Sequence, residues 1–536
     1  MPGQSVLRSV AVLALVAGSV LTPAKSEAVQ ITEFQQAVAE SVSGDDQIAA
    51  FYRERGFAPI WTGDSAADLQ RRTALVEALS LAKHHGLPTS TYNADLLLAR
   101  MASVRSGFER GQLEVQLTEL FLSFARDLQT GVIDNPQRVH REIVRKIPLR
   151  DTSFYLTGLM SDTPSTFIAS LAPQSHEYAR LMKSKMRLEH TIAHGGWGAQ
   201  VPSRKLEPGA KGAAVVALRA RLIAMGYLSP TVTAQYDAAI TEAVSAFQDA
   251  HGLTVDGVAG AGTIAQINVS PQDRLKSVIV AMERERWINR PEGLGDRHIL
   301  VNLTDFKARI FDHGKLTFET RSVIGHQELE RQTPEFSDEM DHMVINPSWY
   351  VPRSIIVREY LPKLRANPGA VSHLEITDNR GRVVSRNRSF AGYTDKSFPF
   401  AMRQKPGPRN ALGTVKFMFP NKYNIYLHDT PAKSLFSREV RTFSHGCVRL
   451  NDPHDFAYAL LAKQTDDPVG FFQRHLRTGA EKRVNLEQPV PVHLIYRTAF
   501  TTAKGEVQFR RDIYDRDRGI WNALSAAGVE IGGIQS

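Results

Sequence analysis

Two short stretches in the last quarter of the chain contain the residue types that nucleophilic catalysis needs. One reads YLHDTP at residues 426–431, and the other reads TFSHGCVRLN at residues 442–451. The second stretch holds Cys447, the only cysteine in the 536-residue sequence, and the first holds His428. A free thiol is only slightly ionised at neutral pH, and a nearby histidine can accept its proton and stabilise the thiolate as an ion pair. The two stretches therefore predict a catalytic cysteine–histidine pair.

The spacing leaves two histidines open as the partner of the thiol. His445 stands two residues before Cys447, and His428 stands 19 residues before it. His445 would point to the same side as Cys447 only in a strictly extended segment, and Gly446 between them favours a turn. His428 ends a strand-like run, so that a neighbouring strand could bring it beside the thiol. Spacing alone does not choose between the two histidines.

The wider pattern resembles a known catalytic domain. The sequence has His428, then a gap of 15 residues, then SHGCVR at residues 444–449. This pattern is similar to the signature of the YkuD-like L,D-transpeptidase family. The stretches NPSWYVP (residues 346–352) and PGPRNALG (residues 406–413) agree with it. The resemblance implies that Cys447 is the nucleophile and that His428 is the proton donor and acceptor.

The same resemblance implies roles for the loop around the cysteine. His445 would support the site and position the loop, and the Ser444 hydroxyl would bond to a histidine. Backbone N–H groups around His445, Gly446 and Cys447 would face the developing oxyanion, with Gly446 permitting a close approach of the backbone.

Two further residues are expected at the substrate-binding part of the site. Arg449 would either bind a substrate carboxylate or fix the loop through an internal acidic partner, and the second role is the favoured one. Tyr426 would pack at the wall of the pocket.

The resemblance implies a reaction with peptidoglycan. Cys447 would attack the carbonyl of diaminopimelate in a donor tetrapeptide stem, release D-alanine and form a thioester, which the diaminopimelate amine of another stem would resolve into a 3→3 cross-link. An outer-membrane protein, a free D-amino acid or water are the alternative acceptors. No cofactor and no metal are expected, and carbapenems would acylate Cys447.

The chain as a whole is predicted to have a multidomain α+β fold. A stretch with GYL at 226–228, AFQ at 246–248 and GLTVDG at 252–257 resembles the three-helix peptidoglycan-binding-like module. The resemblance implies binding to the cell wall, and a role as a spacer is the alternative. The region before it has the three-to-four-residue apolar spacing of helices. From about residue 298 the pattern changes to β-strands. The predicted units are a signal peptide (1–28), a helical scaffold (29–200), the module (206–268), a mainly-β catalytic domain (296–478) with a lid insertion (about 354–405), and a C-terminal hairpin and tail packing on the catalytic domain (484–536).

Composition and the N-terminus limit the location and the partners. Arg8, the apolar stretch from Val10 to Leu21 and the small residues Ser26 and Ala28 predict a cleaved signal peptide and a periplasmic protein. An uncleaved N-terminal anchor is the alternative, although the stretch is short for a membrane span. An excess of 65 basic over 56 acidic residues is too mild for nucleic-acid binding, although it suits the carboxylate-rich stems of peptidoglycan.

Two competing hypotheses receive little support from the residues. His428, His445, His342 and His454 show no metal-ligand spacing, which disfavours a zinc hydrolase. A non-catalytic scaffold with a buried thiol would not require the histidines, serine and glycine that surround Cys447.

Overall fold

The structure, a computed structural model, describes residues 31–531. The predicted signal peptide lies outside the described residues. Along them, each helix is too short or too polar to cross a bilayer. Four clusters of buried apolar side chains organise the described chain, one each in the N-terminal helices, the small module, the catalytic sheet and the lid.

The N-terminal region is helical, as its apolar spacing predicts. Thr32, Ser65 and Ser106 each close a capping box at a helix start, which satisfies N–H groups that the first turn leaves free. The longest of these helices buries Leu117, Phe121 and other apolar side chains. The helices are α1 (Glu33–Ser41), α2 (Asp46–Glu54), α3 (Ala66–Ser80), α4 (Ala94–Ser103), α5 (Gly107–Thr130), α6 (Pro136–Val139), α7 (Thr152–Leu159), α8 (Pro164–Leu171) and α9 (His176–Ala193).

The small module that follows has the three helices that the sequence predicts. They are α10 (Ala213–Ala224), α11 (Ala238–Ala250) and α12 (Ala261–Ile267). Leu218 and Leu222 from α10 pack with Val244 and Phe247 from α11 in a core of their own. A β-bridge between Leu206 and Ala259 ties the entry of the module to the turn before α12, and a second bridge joins Lys211 to Gln235.

The catalytic domain is built on one nine-stranded sheet of mixed direction, in the order β10-β3-β11-β9-β8-β4-β12-β1-β2. Helices α16 (Pro453–Leu461) and α17 (Pro468–Arg477) follow β11, and Phe456 and Phe472 from them enter the sheet's core. The strands are β1 (Arg297–Asn302), β2 (Lys307–Asp312), β3 (Lys315–Gly325), β4 (Phe336–Ile345), β8 (Val415–Met418), β9 (Leu427–His428), β10 (Thr442–Ser444), β11 (Val448–Leu450) and β12 (Lys482–Ile495).

The lid insertion predicted at about 354–405 lies within a larger folded unit, residues 349–412, which we call the lid. Its sheet has the order β5-β7-β6, from β5 (Trp349–Tyr350), β6 (Glu375–Thr377) and β7 (Ala401–Gln404). Its helical part runs through α14 (Arg353–Ile355), a π-helical turn (Ile356–Tyr360) and α15 (Leu361–Ala366). Because the lid buries its own apolar cluster, it can hold its shape at the rim of the catalytic sheet.

Two later segments complete the N-terminal helical domain. Helix α13 (Pro271–Arg286) buries Leu275 and Val278 in the scaffold core. The hairpin of β13 (Ala499–Thr501) and β14 (Val507–Phe509) and helix α18 (Arg516–Ala526) contribute Phe509, Ile520 and Leu524 to the same core. Of residues 484–536, all predicted to pack on the catalytic domain, β12 and Tyr514 do lie in the sheet's core. Phe509, Ile520 and Leu524 instead pack in the scaffold core, so the prediction is wrong for them. The physical reason is that the scaffold helices leave an apolar face that only these distant segments cover.

Candidate active site

The central strands of the catalytic sheet divide their side chains between two environments. Leu427 of β9 and Val448 of β11 are opposite each other in a parallel pair, and both are fully buried in the sheet's core. Successive strand residues point to opposite faces, so His428 and its registered partner Arg449 lie on the other face. On the far side of β9, Lys416 of β8 is registered with His428. The alternation thus places three basic side chains in a row across three strands.

Cys447 and Tyr426 lie one step away from this row. The N–H of Val448 donates to the carbonyl of Tyr426 at 3.1 Å, which sets Cys447 beside Tyr426 as β11 begins. Cys447 and His428 are then diagonal neighbours on one face, a separation that aromatic and long side chains can bridge. Both line a cleft of about 830 Å³ between the sheet and the lid. The fold therefore brings together the two residues predicted as nucleophile and proton acceptor.

The orientation and tautomer of His428 are fixed by its backbone. Its Nδ1 lies 2.5 Å from the Asp429 carbonyl oxygen, and since a carbonyl only accepts, Nδ1 carries the proton. The Nε2 lone pair is left free to accept a proton. Burial, followed by the nearby charge of Arg449, lowers the pKa of His428 to about 3. The imidazole is therefore neutral at physiological pH, as a general base must be.

Asp429 anchors this strand end. Its carboxylate accepts from the Thr414 N–H at 2.9 Å, from the Thr414 hydroxyl at 2.8 Å and from Lys433 Nζ at 2.8 Å. These bonds keep the pKa of Asp429 below its ordinary value, even though burial alone would raise it. Gly413 makes room for the carboxylate, because a Cβ there would stand 2.3 Å from its carboxyl carbon.

The Cys447 thiol is neutral at rest. Burial raises its pKa to about 11, and bonds from the Tyr426 backbone and hydroxyl, together with the charges of Arg449 and Lys416, oppose the rise without cancelling it. The thiol donates weakly to the Asn424 carbonyl at 3.5 Å. The thiolate–imidazolium ion pair expected from the sequence is therefore not the resting state. Burial is the largest cause of both pKa shifts and disfavours the charged form of each group, so the proton stays on sulfur.

The loop before Cys447 is held by Ser444 in a way that the sequence did not predict. The Ser444 hydroxyl donates to the Cys447 carbonyl at 2.5 Å and accepts the Gly446 N–H at 3.1 Å. The predictions that Ser444 bonds to a histidine and that the Gly446 N–H faces the oxyanion are both wrong, because each group is used inside the turn. Gly446 has φ of +115°, a backbone conformation that residues with a Cβ atom rarely adopt.

A threonine missed by sequence reasoning holds the same turn from behind. Thr333 donates through its hydroxyl to the Gly446 carbonyl at 2.7 Å and accepts the Gly325 N–H at 2.9 Å. Arg516 from α18 donates to the Thr333 carbonyl at 2.8 Å. The turn that carries the sulfur is thus connected to the C-terminal tail, a link for which the sequence gives no signal.

His445 connects the nucleophile loop to the lid. Its Nε2 lies 2.5 Å from an oxygen of Glu359 in the π-helical turn, and Arg331 binds the same oxygen at 3.1 Å. The structure therefore places His445 toward the lid and Glu359, and leaves His428 as the histidine whose free nitrogen faces the sulfur's side of the sheet.

Arg449 and Lys416 are cations without counter-ions. Within residues 31–531 neither forms an ion pair, and Nε of Arg449 is buried without a hydrogen-bond partner. The internal acidic partner that the sequence analysis favoured for Arg449 is absent from the described chain, which leaves its guanidinium free for a ligand. Lys416 was missed, although a lysine inside the apolar strand VKFM (residues 415–418) is a signal that could have revealed it.

Three parts of the chain match known protein families. Residues 296–469 match the L,D-transpeptidase catalytic domain, YkuD. They are an L,D-transpeptidase domain. Residues 46–184 match the "Scaffold domain" family, and residues 211–267 match the "Putative peptidoglycan binding domain" family. No group of three His, Cys, Asp or Glu side chains within the described chain could hold a metal ion.

Individual relatives cover only parts of the chain. A Haemophilus influenzae protein named "Putative L,D-transpeptidase" is 33% identical over 228 residues, which is 41% of this chain and 45% of that protein. The L,D-transpeptidase crystal structures from Xylanimonas cellulosilytica (16% identity, TM-score 0.16) and Stackebrandtia nassauensis (13%, TM-score 0.21) align with 56% and 55% of this chain and with 98% and 97% of their own.

Proposed function

We propose that this protein is a periplasmic peptidoglycan L,D-transpeptidase that forms 3→3 cross-links through a cysteine thioester. The observation that supports it most directly is the shared cleft face of Cys447 and His428 inside a matched L,D-transpeptidase domain. The domain family supplies the reaction class, and the geometry supplies a sulfur nucleophile with a neutral imidazole on the adjacent strand.

In the acylation step, the Cys447 sulfur attacks the carbonyl carbon of the diaminopimelate residue in the donor tetrapeptide. The thiol proton passes to Nε2 of His428 as the C–S bond forms, because neither group is charged at rest. The imidazolium then gives this proton to the departing amine of D-alanine when the C–N bond breaks. A thioester remains on Cys447, and His428 is neutral again.

In the transfer step, the same histidine works in the opposite direction. The side-chain amine of diaminopimelate from a second stem attacks the thioester carbonyl, and His428 accepts a proton from that amine. The C–S bond breaks, and the proton returns to sulfur. The folded lid over the cleft limits the access of water, which favours aminolysis over hydrolysis.

Two backbone N–H groups are available for the oxyanion of each tetrahedral intermediate. Neither the His445 N–H nor the Cys447 N–H has an acceptor in the described part of the protein. We assign the oxyanion site to these two groups, in place of Gly446. Such donors typically contribute about 3 kcal/mol each to transition-state stabilisation.

The charges around the cleft suit an anionic substrate. Arg449 and Lys416 are free cations at its floor, and Arg409 lies at its wall. The lid holds 12 lysine and arginine residues against 4 aspartate and glutamate residues, so it carries +8 of the chain's net charge of +9. A carboxylate-rich stem would gain charge-assisted hydrogen bonds here and would be attracted to the lid from a distance.

Intact-protein mass spectrometry with purified disaccharide-tetrapeptide is the direct test. We expect a thioester adduct on the wild-type chain with loss of D-alanine, and no adduct on Cys447→Ala. Meropenem should give an adduct with the same dependence on Cys447. An adduct that persists in Cys447→Ala would refute the assignment of the nucleophile.

The acceptor is tested separately, by adding one amine at a time to the isolated thioester. Tetrapeptide stems should resolve it to a 3→3 dimer faster than D-amino acids, lysine-containing peptides of outer-membrane proteins or water do. Faster transfer to the protein-derived peptide would replace cross-linking by protein attachment as the function.

A further inference from the structure

The two N–H groups assigned to the oxyanion belong to peptide units that are bound from their opposite side. The His445 N–H shares a peptide unit with the Ser444 carbonyl, and the Cys447 N–H shares one with the Gly446 carbonyl. Both peptide bonds are trans, and a trans peptide is planar, so that its N–H and C=O point in opposite directions. The groups that bond to these two carbonyls therefore set the direction of the two oxyanion donors.

One segment of the catalytic domain bonds to both carbonyls. It comprises residues 325–333, from the last residue of β3 towards the start of β4, and we call it the backing loop. The His326 N–H donates to the Ser444 carbonyl at 2.9 Å, which continues the parallel pairing of β3 with β10. The Thr333 hydroxyl donates to the Gly446 carbonyl at 2.7 Å. The backing loop thus fixes both peptide units from behind.

The two bonds differ in what they depend on. The His326 bond is made by the backbone, whereas the Thr333 bond depends on a single side chain. Gly446 has no Cβ atom, so the peptide unit between Gly446 and Cys447 can rotate with little steric resistance. Within the described chain, the Thr333 hydroxyl is the one group that donates to the Gly446 carbonyl. The direction of the Cys447 N–H therefore depends on this hydroxyl.

A second bond orients the Thr333 hydroxyl. Its oxygen accepts the Gly325 N–H at 2.9 Å, and its hydrogen is left for the Gly446 carbonyl. Thr333 is fully buried. Gly325 is packed so closely against the backing loop that a Cβ atom there would stand 2.1 Å from the Arg331 carbonyl oxygen. The position of the hydroxyl is therefore set by the end of β3.

The C-terminal tail holds the backbone of Thr333. Arg516 donates to the Thr333 carbonyl at 2.8 Å and pairs with Glu335 at 3.0 Å. The Tyr514 hydroxyl donates to the Gly325 carbonyl at 2.6 Å and accepts the Thr333 N–H at 3.4 Å. Both tail residues are buried. The tail thus supports the backing loop from the side that faces away from the sulfur.

We propose that Thr333 is a positioning residue of the oxyanion site, which directs the Cys447 N–H toward the developing oxyanion, and that Tyr514 of the C-terminal tail holds Thr333 in place. This inference rests on the proposed function, because it concerns the tetrahedral intermediate of acyl transfer. Thr333 does not line the cleft of Cys447. It therefore acts on the stabilisation of the intermediate and leaves the reactivity of the thiol unchanged.

Two reactions of the same sulfur separate positioning from a general loosening of the turn. Acylation by disaccharide-tetrapeptide or by meropenem passes through a tetrahedral oxyanion, whereas alkylation by iodoacetamide displaces iodide and forms none. Because loss of one oxyanion donor typically costs about 10²–10³-fold in kcat, its misalignment in Thr333→Val should slow acylation about 30-fold with either acyl donor. The half-saturating concentration of tetrapeptide should not change. The rate of alkylation and its pH dependence should equal those of the wild-type chain.

Three further variants isolate the hydroxyl. Thr333→Ser keeps it and should acylate at nearly the wild-type rate. Thr320→Val makes the same change at another buried threonine, in β3, whose hydroxyl donates to Asp452, and should leave both reactions unchanged. Tyr514→Phe removes one support of Thr333 and should slow acylation about threefold, as expected for one hydrogen bond, without affecting alkylation. If Thr333→Val fails to fold, unchanged acylation in Tyr514→Phe would overturn the proposal.

Three results with Thr333→Val would contradict the positioning role. They are wild-type rates of acylation, an equal slowing of acylation and alkylation, and a loss that Thr333→Ser shares. The proposed function fails separately, if the tetrapeptide does not acylate the wild-type chain. The effect of Thr333→Val on acylation by meropenem then still decides the role of Thr333, and absence of acylation by both donors would overturn both proposals.

Discussion

The catalytic cleft has polar side chains of the same types as a second cleft of about 640 Å³. The second one, called the interdomain cleft, is lined by Tyr227, His251, Arg274 and Phe509 where the small module meets α13 and the C-terminal hairpin. Each has a buried histidine whose Nδ1 bonds to a backbone carbonyl, Asp429 for His428 and Phe247 for His251. Burial is the largest cause that lowers the pKa of both histidines. Each cleft also has a tyrosine with a raised pKa and an arginine without an ionic partner in the described chain. The difference is the sulfur of Cys447. Shifted pKa values alone therefore do not identify a catalytic cleft, and only the nucleophile distinguishes these two.

The two clefts also differ in how the chain builds them. The catalytic cleft takes its row of polar residues from adjacent strands of one sheet, so that a period of two fixes which side chains face it. The interdomain cleft is assembled from helix ends, a linker and a hairpin that are far apart in the sequence. A sheet face tolerates little change of register, and this rigidity suits chemistry that depends on position.

The largest effect that would distinguish the two histidines is on acylation. His428→Ala should reduce the rate of thioester formation by about a thousandfold, because general acid–base catalysis typically contributes 10²–10⁴-fold. His251→Phe is the matched variant in the interdomain cleft and should leave that rate within twofold. The measurement is the rate of adduct formation by mass spectrometry. Equal losses in both variants would show that His428 acts only through the fold.

The pH dependence of alkylation tests the neutral thiol. The pKa of Cys447 is raised to about 11, so the thiolate is the minor form below that pH. The rate of reaction with iodoacetamide should therefore rise about tenfold per pH unit from pH 7 to 10. A plateau beginning near pH 7 would instead indicate a preformed ion pair with His428. The Cys447→Ala chain gives the background.

Removing the free guanidinium of the catalytic cleft should have a smaller effect. Arg449→Met should lower kcat/KM for the tetrapeptide about tenfold or more, since a hydrogen bond to a charged group contributes about 1.5–3 kcal/mol. Because Arg449 has no ionic partner among residues 31–531, the melting temperature should not fall. Arg274→Met is the comparison variant, with unchanged kcat/KM on a sugar-free stem. A large loss of thermal stability in Arg449→Met would point back to an internal role.

The smallest effect is expected at the contact between the lid and the nucleophile loop. Glu359→Gln removes the charge that faces His445 and Arg331. Partly exposed ion pairs contribute about 0–1 kcal/mol, so the rate of acylation should fall no more than about fivefold. Arg358→Gln at the neighbouring exposed pair with Glu330 is the control and should leave the rate unchanged. A hundredfold loss in Glu359→Gln would make the lid contact part of the chemistry.

Some of the site could be predicted from sequence because its signal is local. The single cysteine indicated the nucleophile, and the SHGCVR motif at residues 444–449 carried the resemblance that selected His428, since the spacing left His428 and His445 open. The bonding of Ser444 within the turn could not be predicted, because a hydroxyl can reach several partners and only the backbone path decides among them. Nor could the sequence predict that Arg449 lacks an ionic partner among the described residues, because this depends on where every acidic side chain lies in the fold.

The sequence by itself determined the order of the units and the helical or strand character of each, because these depend on apolar periodicity and on local turn chemistry. The candidate site residues came from the resemblance of their motif to a known catalytic domain. Only the tertiary structure decided that α13 and the C-terminal hairpin complete the scaffold core, that the thiol and imidazole are neutral at rest, and that a second cleft exists. Burial of an apolar face and the desolvation of a charge depend on segments hundreds of residues apart. A local sequence pattern does not show which distant segment will cover an apolar face or a charged group.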